Sequence, residues 1–225
     1  MTKRTWLWWS SGKDSAWTLH TLNKDPAFQV EALVTSVNAD ADRVAMHAVR
    51  RTLLEAQGRA LGLPVVIAEI PYPCPNGAYE AAAARVIANA EAVGVTHMAF
   101  GDLFLEDIRA YRENLLAESR IKPIFPLWQR NTKALAVEMI EGGLDAFLTC
   151  VDPNALDPKL VGRRFDRQLL EDLPASVDPC GENGEFHTFV TRSPDFSVDV
   201  EVSVGDRVER DGFWFADLLA KDGHR

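Results

Sequence analysis

Short apolar runs alternate with longer amphipathic stretches through the first half of the chain. The apolar runs predict buried strands at residues 5–9, 29–37, 65–70 and 97–100. The amphipathic stretches predict helices at residues 15–22, 45–61 and 78–93, the second of which ends at a Gly-Leu-Pro stop signal. Strands and helices that alternate in this way are typical of an α/β domain with a parallel sheet covered by helices.

The pattern changes near residues 121–128, where two prolines interrupt the alternation, and we place a domain boundary between residues 127 and 128. Beyond it, the sequence predicts a helix at residues 132–141, a strand at 146–151 and a short helix at 160–170. Residues 196–215 alternate apolar and polar positions, which predicts antiparallel strands with a turn at Gly205-Asp206. We therefore expect an α/β domain at residues 1–127 and a smaller α+β domain at residues 128–225.

A loop of small and charged residues follows the first predicted strand. In the stretch WLWWSSGKDSAW the apolar run ends before Ser10, and helix formers begin again at Ser15. The loop carries three hydroxyls, a glycine, a cation and a carboxylate, at Ser10, Ser11, Gly12, Lys13, Asp14 and Ser15. Backbone N–H groups in such a strand-loop-helix unit converge on one point and attract an anion such as phosphate.

This loop matches neither of two common phosphate-binding patterns. A Walker loop would need a glycine where Leu7 stands and a serine or threonine where Asp14 stands. The dinucleotide fingerprint needs three spaced glycines, but Gly12 is the only glycine before Gly58. The residues present suit a magnesium-bound polyphosphate, because Lys13 neutralises oxygens while Asp14 holds the ion directly or through water. A plain turn with solvated side chains is the alternative.

A second polar segment, GDLFLEDIRAYRENL, follows the predicted strand at residues 97–100. Gly101 and Asp102 fall at the carboxyl end of that strand, where open parallel sheets bind their ligands. Charged and aromatic residues then crowd one helical stretch: Glu106, Asp107, Arg109, Tyr111, Arg112 and Glu113. A surface helix with ion pairs three or four residues apart is the alternative, and each pair would contribute only about 0.3 kcal/mol.

A third polar segment, DPCGENGEFHTFV, precedes an apolar run. Two glycines bracket a pair of polar residues and two more polar residues follow: Gly181, Glu182, Asn183, Gly184, Glu185 and His187. Glycines allow backbone shapes that turn polar side chains toward a ligand. A hairpin turn with solvated acids is one alternative. A thiol nucleophile and base formed by Cys180 and His187 is another, but nothing nearby in the sequence completes such a site.

Composition narrows the classes of function. The net charge of −9 on 225 residues argues against broad capture of nucleic acid, and the basic cluster at residues 162–167 has a simpler explanation as a solvated helix face. The three cysteines, Cys74, Cys150 and Cys180, lie far apart and fit reduced thiols. No stretch approaches the apolar length of a membrane helix, and the run before Ser10 is too short for a signal peptide. We therefore expect a cytoplasmic protein without a membrane partner.

The three polar segments together carry a family resemblance. The hexapeptide SSGKDS resembles the SGGxDS loop of the ATP pyrophosphatase superfamily, with Ser11 where that pattern usually has glycine. With GDLFLEDIRAYRE, DPCGENGEFHTFV and the stretch AMHAVRRTLLEAQGRALGLP, the chain resembles the diphthine–ammonia ligase family over nearly its whole length. The resemblance implies a Rossmann-like sheet of the adenine nucleotide alpha-hydrolase type, with ATP bound by residues 1–127 and the substrate side formed by residues 128–225.

The resemblance also implies a reaction. Family members use ATP and Mg²⁺ to adenylate a carboxylate, after which ammonia displaces AMP and leaves an amide. On this account Ser10, Ser11, Gly12, Lys13 and Ser15 hold the pyrophosphate, Asp14 helps to hold magnesium, and Gly101 and Asp102 close the nucleotide side. The acceptor then faces Glu106, Asp107, Arg109, Tyr111 and Arg112, and the segment Gly181, Glu182, Asn183, Gly184, Glu185 and His187. We predict that Lys13, Asp14, Asp102, Glu185 and His187 are the catalytic groups.

The resemblance leaves the partners less defined. The chain has no room for a glutaminase domain, so ammonia is expected to be free or delivered by a partner. The acceptor carboxylate belongs to a small molecule or to a protein side chain, and a homodimer stays open. Two alternatives also stay open: a noncatalytic adenine-nucleotide-binding protein, which would need no acceptor site, and an RNA-modifying enzyme of the same superfamily, which would need a basic surface.

Overall fold

The computed structural model describes residues 2–221. In this part of the chain the strands are β1 (Lys3–Trp8), β2 (Phe28–Asn38), β3 (Arg43–Val44), β4 (Val65–Ile70), β5 (His97–Ala99), β6 (Lys122–Ile124), β7 (Asp145–Val151), β8 (Phe186–Arg192), β9 (Val202–Arg210) and β10 (Phe213–Ala220). The helices are α1 (Lys13–Asn23), α2 (Arg51–Leu61), α3 (Asn76–Ala92), α4 (Glu106–Leu116), α5 (Thr132–Glu141) and α6 (Arg167–Asp172), with a 3₁₀ turn at Pro158–Leu160. No helix among these residues is long and apolar enough to cross a membrane.

The first sheet is a parallel sheet in the order β4-β2-β1-β5-β6. The chain builds outward from β1 on one side, through β2 and β4, and then returns to the other side with β5 and β6. The order therefore reverses between β1 and β5, which is the point where open α/β sheets bind ligands at their carboxyl ends. The short strand β3 pairs antiparallel with the end of β2 at Val37 and Asn38.

Helices cover both faces of this sheet, as the sequence predicts. Alternate residues of β1 point to opposite faces. Trp6 packs into one apolar cluster with Val34 of β2 and Val86 of α3. Its neighbour Leu7 packs into a second cluster, which includes Trp17 of α1. The fold is thus the expected Rossmann-like α/β arrangement.

The second sheet is antiparallel, in the order β8-β7-β10-β9. Its buried residues Leu148, Phe189 and Ala216 belong to the same apolar cluster as Leu7 and Trp17 of the first part of the chain. The two sheets therefore share one core, and the segment from β7 to β10 is packed against the first sheet. The domain boundary between residues 127 and 128 stays a prediction.

One predicted helix begins later than expected. The sequence predicts a helix over residues 45–61, but α2 begins at Arg51. Met46 and Ala48 have φ values of 61° and 54°, which a right-handed helix excludes. The segment from Ala45 forms a turn instead, with its N–H bonded to the Ser36 carbonyl at 3.0 Å, and it lies beyond the carboxyl end of β1.

Three further predictions differ from the structure. Residues 122–124, within the expected boundary segment, form β6 at the edge of the sheet, where Pro123 needs no ladder donor. The helix expected at 160–170 is divided into the 3₁₀ turn and α6, which Asp166 caps by accepting the Leu169 N–H at 2.8 Å. The final hairpin turns at Asp211-Gly212, with φ values of 52° and 83°, and Gly205 lies inside β9.

Candidate active site

A cleft of about 310 Å³ opens at the carboxyl ends of β1 and β5, where the strand order reverses. Ten of the residues that the sequence predicts for the site line it: Ser10, Lys13, Asp14, Ser15, Gly101, Asp102, Arg112, Gly181, Glu182 and His187. The three polar segments, which are far apart in the chain, therefore meet in one place. The 10–15 loop, Asp102 after β5, Arg112 of α4 and the 178–187 loop form its charged part.

Nine predicted residues are not among those that line the cleft in the described structure: Ser11, Gly12, Glu106, Asp107, Arg109, Tyr111, Asn183, Gly184 and Glu185. Arg109 pairs with Glu113 on α4, with Nε 2.8 Å from a carboxylate oxygen, as the surface-helix alternative predicts. The helix therefore divides between Arg112, which faces the cleft, and Arg109, which does not.

The second sheet holds the 10–15 loop through a backbone hydrogen bond. Ser11 has φ 68°, and its side chain is fully buried with its hydroxyl bonded to the Ser10 carbonyl. The Ser11 carbonyl accepts the Val190 N–H at 3.0 Å and the Gln57 side-chain amide at 3.1 Å. The hydroxyl predicted to meet phosphate at this position thus points into the protein, whereas Ser10 and Ser15 line the cleft. The Ser15 hydroxyl donates to the Gly12 carbonyl at 2.8 Å.

Two glycines allow the backbones to approach closely around the loop. A Cβ on Gly12 would lie 2.9 Å from Cε1 of His47 and 3.1 Å from the Thr188 carbonyl oxygen. A Cβ on Gly101 would lie 3.1 Å from the backbone carbon of Asp14. The first distance is shorter than real Cβ contacts and the other two are tighter than most of them, so a side chain at either position would displace its neighbours. Gly12 thus brings the loop against the second sheet, and Gly101 brings the end of β5 against α1.

The Lys13 side chain crosses beneath the loop to the 178–187 loop. It is only 2% exposed, and its ammonium donates to the Cys180 carbonyl and to Asp14 Oδ2, the latter at 2.8 Å. Burial alone would lower the pKa of Lys13, but neighbouring charges, Asp14 first, raise it on balance. The ammonium stays charged and ties the two loops together, whereas a direct contact with phosphate stays a prediction.

Asp14 and Asp102 each bring to the cleft a carboxylate oxygen that has no hydrogen-bond donor among the described residues. Asp14 Oδ1 and Asp102 Oδ2 are buried and have no hydrogen-bond partner among residues 2–221. Burial raises the pKa of both carboxyl groups, against the opposing charges of Lys13 and Arg112. Buried acceptors without donors cost free energy. The two oxygens therefore favour the arrival of a cation or a donor.

The described residues contain no group of three His, Cys, Asp or Glu side chains that could hold a metal ion alone. Mg²⁺ does not need one, because it is usually bound through one or two carboxylates together with substrate phosphates and water. The unpaired Oδ1 of Asp14, beside the predicted phosphate loop, is a ligand of this kind. The residues present therefore fit a magnesium ion that arrives with its nucleotide.

Glu182 joins the 178–187 loop to the segment before α4. Its Oε1 accepts the N–H groups of Leu103 at 2.7 Å and of Phe104 at 3.3 Å. Burial raises the pKa of Glu182 to about 7, although the two N–H donors oppose the shift, and Asp14 and Asp102 add to it. The carboxyl group thus ionises near neutral pH at the wall of the cleft.

This shift predicts a pH dependence of stability. Because the folded pKa of about 7 exceeds the ordinary value of 4.5, the contribution of Glu182 is fully present below pH 4.5 and is lost as pH rises through 7. Urea unfolding measures this effect. Between pH 4.5 and 7, the free energy of unfolding of wild type is expected to fall on the order of 1–3 kcal/mol further than that of Glu182→Gln. A difference between the two proteins that does not change with pH would contradict the shift.

Glu185 stabilises the loop to which it belongs. Its carboxylate accepts the N–H groups of Asp178 at 2.9 Å and Asn183 at 3.0 Å, and the Asn183 side-chain amide at 3.0 Å. The side chain is only 6% exposed. With its oxygens engaged in this way, Glu185 holds the turn that presents Glu182, and its catalytic role stays a prediction.

His187 lies at the cleft beside a histidine that the sequence did not single out. The ring centroids of His47 and His187 are 4.6 Å apart, and both residues line the cleft. His47 Nδ1 lies 3.0 Å from the Thr188 carbonyl oxygen, which can only accept, so Nδ1 carries the proton and Nε2 is an acceptor. Burial lowers the pKa of His47 to about 4 and that of His187 well below its usual range. Both imidazoles are neutral at pH 7.

Comparisons with known proteins agree with the three motifs. Residues 3–123 match the family described as "Diphthamide synthase N-terminal domain", and residues 131–220 match "Diphthamide synthase C-terminal domain". Among curated relatives, "Diphthine--ammonia ligase" of Bos taurus is 34% identical over 118 residues, and that of Homo sapiens is 34% identical over 110. The protein of that name from Schizosaccharomyces pombe is 30% identical over 101 residues.

The matched segment is shorter than these relatives. It covers 50% of this chain and 44% of the bovine protein, 46% of this chain and 41% of the human protein, and 43% of this chain and 17% of the fission yeast protein. The chain thus matches less than half the length of each of these relatives. The two family matches, in contrast, extend over both sheets and all three polar segments. The chain belongs to the diphthamide synthase family.

Proposed function

We propose that the protein is an ATP-dependent ligase that adenylates a substrate carboxylate, releases pyrophosphate and forms an amide with ammonia. The observation that carries the proposal is the meeting of the 10–15 loop, Asp102 and the 178–187 loop in one cleft at the switch point of the sheet. The 10–15 loop offers groups for a polyphosphate, and an arginine, acids and neutral imidazoles in the same cleft are available to an acceptor.

In the first step, an oxygen of the acceptor carboxylate attacks the α-phosphorus of ATP. The new O–P bond forms as the bond between the α-phosphorus and the bridging oxygen of pyrophosphate breaks. In this proposal Ser10 and Ser15 bind the departing pyrophosphate together with the N-terminus of α1, which is supported by the 3.3 Å distance between the two hydroxyls. The buried charge of Lys13 supports the same site from below.

Magnesium is proposed as a companion of the nucleotide, held through Asp14 and supported by Asp102. When bound, Mg²⁺ would neutralise charge on the phosphate oxygens and so help pyrophosphate to leave. The fit rests on the unpaired oxygens Asp14 Oδ1 and Asp102 Oδ2 at the cleft.

In the second step, the nitrogen of ammonia attacks the acyl carbon. A C–N bond forms and the bond between the acyl carbon and the oxygen of AMP breaks. AMP leaves and one proton is released. In this proposal the neutral His187, whose ring lies 4.6 Å from that of His47, accepts a hydrogen bond from the nitrogen.

The partners follow from this chemistry. Ammonia is taken up free or from a partner protein, and the acceptor is a carboxylate of a small molecule or of a protein side chain. Cys74, Cys150 and Cys180 are free thiols, which supports action in a reducing compartment such as the cytoplasm. The alternatives are less well supported: a nucleotide-binding module would have no use for the 178–187 loop, and an RNA-modifying enzyme would want a basic surface on a chain whose net charge is −9.

The test is a screen of carboxylic acids for consumption of ATP in the presence of Mg²⁺ and ammonium. We expect AMP and pyrophosphate to appear in equal amounts, with amide formed only when ammonium is added. A parallel reaction without acid gives the background. ADP with orthophosphate, or no acid-dependent consumption of ATP at all, would refute the proposal.

A further inference from the structure

Arg112 is fixed in one position at the wall of the cleft. Its Nη1 donates to the Tyr79 hydroxyl at 2.7 Å. Its guanidinium carbon lies 5.3 Å from the centre of the Phe100 ring and 5.7 Å from that of Trp8. A planar cation against aromatic rings is attracted and oriented by them. Three elements, β1, α3 and the end of β5, thus determine where the arginine points.

The remaining edge of this guanidinium makes no hydrogen bond in the described part of the chain. Its buried Nε forms only a long ion pair with Asp102 Oδ2, 3.7 Å away, which is beyond hydrogen-bond distance. Tyr79 engages Nη1, so the fork formed by Nε and Nη2 is left for another group. Such a fork matches the two oxygens of a carboxylate.

We propose that Arg112 binds the carboxylate of the acceptor through this fork, and that Tyr79 is the residue that positions it. Trp8, Tyr79 and Phe100 line the same cleft, so the portion of the acceptor next to its carboxylate packs against aromatic rings. The acceptor class is therefore a carboxylic acid with an apolar segment beside the carboxylate. The inference rests on the proposed function for the use made of that carboxylate.

The competing ligand for Arg112 is the polyphosphate of ATP. The loop residues expected to bind phosphate adjoin Gly101, where an added Cβ would lie 3.1 Å from the backbone carbon of Asp14. Asp102 follows Gly101 and faces Arg112. A guanidinium fork binds phosphate as well as carboxylate, so a titration with and without an ATP analogue must distinguish the two ligands.

The test uses the ¹⁵N-labelled chain and the Nε–H signal of Arg112, identified by its loss in Arg112→Lys. Glutarate is titrated with and without a saturating nonhydrolysable ATP analogue and Mg²⁺. We expect glutarate to shift the signal under both conditions. Tyr79→Phe removes the hydroxyl but keeps the ring, and it is expected to weaken glutarate binding about tenfold while leaving affinity for the analogue unchanged.

Arg109→Lys is the matched control. Arg109 is on the same helix and also lies over two rings, 4.9 Å from Phe125 and 4.8 Å from Trp128, but it does not line the described cleft. We expect this variant to bind glutarate within about twofold of wild type. If Arg112→Lys does not fold, the Nε–H signal is assigned by triple-resonance spectra instead. The wild-type titration and Tyr79→Phe then still show whether Arg112 binds the carboxylate.

Two results would overturn the inference. A signal that moves with the ATP analogue alone assigns Arg112 to the polyphosphate, and a signal that moves with neither ligand assigns it a structural role. Failure of the proposed function looks different. In that case the acid screen yields no AMP, while glutarate still shifts the Arg112 signal and Tyr79→Phe still weakens its binding.

Discussion

Replacing Asp14 by Asn is expected to lower acid-dependent formation of AMP by a factor on the order of a hundred or more. The amide has the shape of the carboxylate but no charge. It removes the unpaired Oδ1 anion from the cleft and the partner that Lys13 contacts at 2.8 Å through Oδ2. The loss follows because charge develops on phosphate oxygens that magnesium, held here, would neutralise.

Two measurements check this prediction. One is the initial rate of AMP formation with the acid found in the screen. The other is calorimetry with a nonhydrolysable ATP analogue, in which Mg²⁺ is expected to raise affinity for wild type but not for Asp14→Asn. Asp107→Asn is the control, because Asp107 lies on α4 and is not among the residues that line the described cleft. Equal activity in Asp14→Asn and wild type would exclude the assignment.

Some elements were predictable because the residues next to them determine where they begin and end. β4 has the expected bounds, since Pro64 and Pro71 flank it and cannot continue a sheet. The helix α5 also has the expected bounds. Asn131 caps its start by accepting the Ala134 N–H at 2.9 Å, and Gly142 follows its end. In both cases the signal is local, so a single sequence contains it.

The segment before α2 could not be predicted in the same way. Its apolar spacing is helical, but contacts with distant residues determine its backbone. Arg43 and Arg50 both bind Asp217 of β10, at 2.9 Å and 2.5 Å, and the turn between them has residues at positive φ. These contacts outweigh helix propensity, which is a weak preference. His47 lies on that turn. Because the segment was predicted as a helix, His47 was not predicted as a site residue.

The site was predictable in outline, because the carboxyl ends of parallel strands meet at one edge of a sheet. The sequence could not show which side chains turn inward. Glu185 and Glu182 differ in where their donors lie: the nearby N–H groups of Asp178 and Asn183 engage Glu185, whereas those of Leu103 and Phe104, distant in the chain, engage Glu182. Hydrogen bonds of this kind depend on loop geometry, which the residue types alone do not define.

Lys13 is another residue whose burial the sequence could not show, and its replacement is expected to have a large effect on stability. On sequence alone, its removal is expected to stop turnover without affecting folding. In the structure it is 2% exposed and connects α1 to the Cys180 carbonyl. Lys13→Met keeps the length of the chain but leaves that carbonyl and Asp14 Oδ2 without their donor. We expect the free energy of unfolding to fall by about 2–3 kcal/mol, because a buried charge loses its partner.

Urea unfolding followed by tryptophan fluorescence measures this loss, with Lys122→Met as the control. Lys122 is an exposed lysine on the edge strand β6, so its replacement is expected to change the free energy of unfolding by no more than about 0.5 kcal/mol. The ATP analogue should also protect Lys13→Met less than wild type, since the 178–187 loop loses its tie to the 10–15 loop. If Lys13→Met unfolds like wild type and loses only turnover, the ammonium serves the ligand directly, as the sequence predicts, and its structural role is refuted.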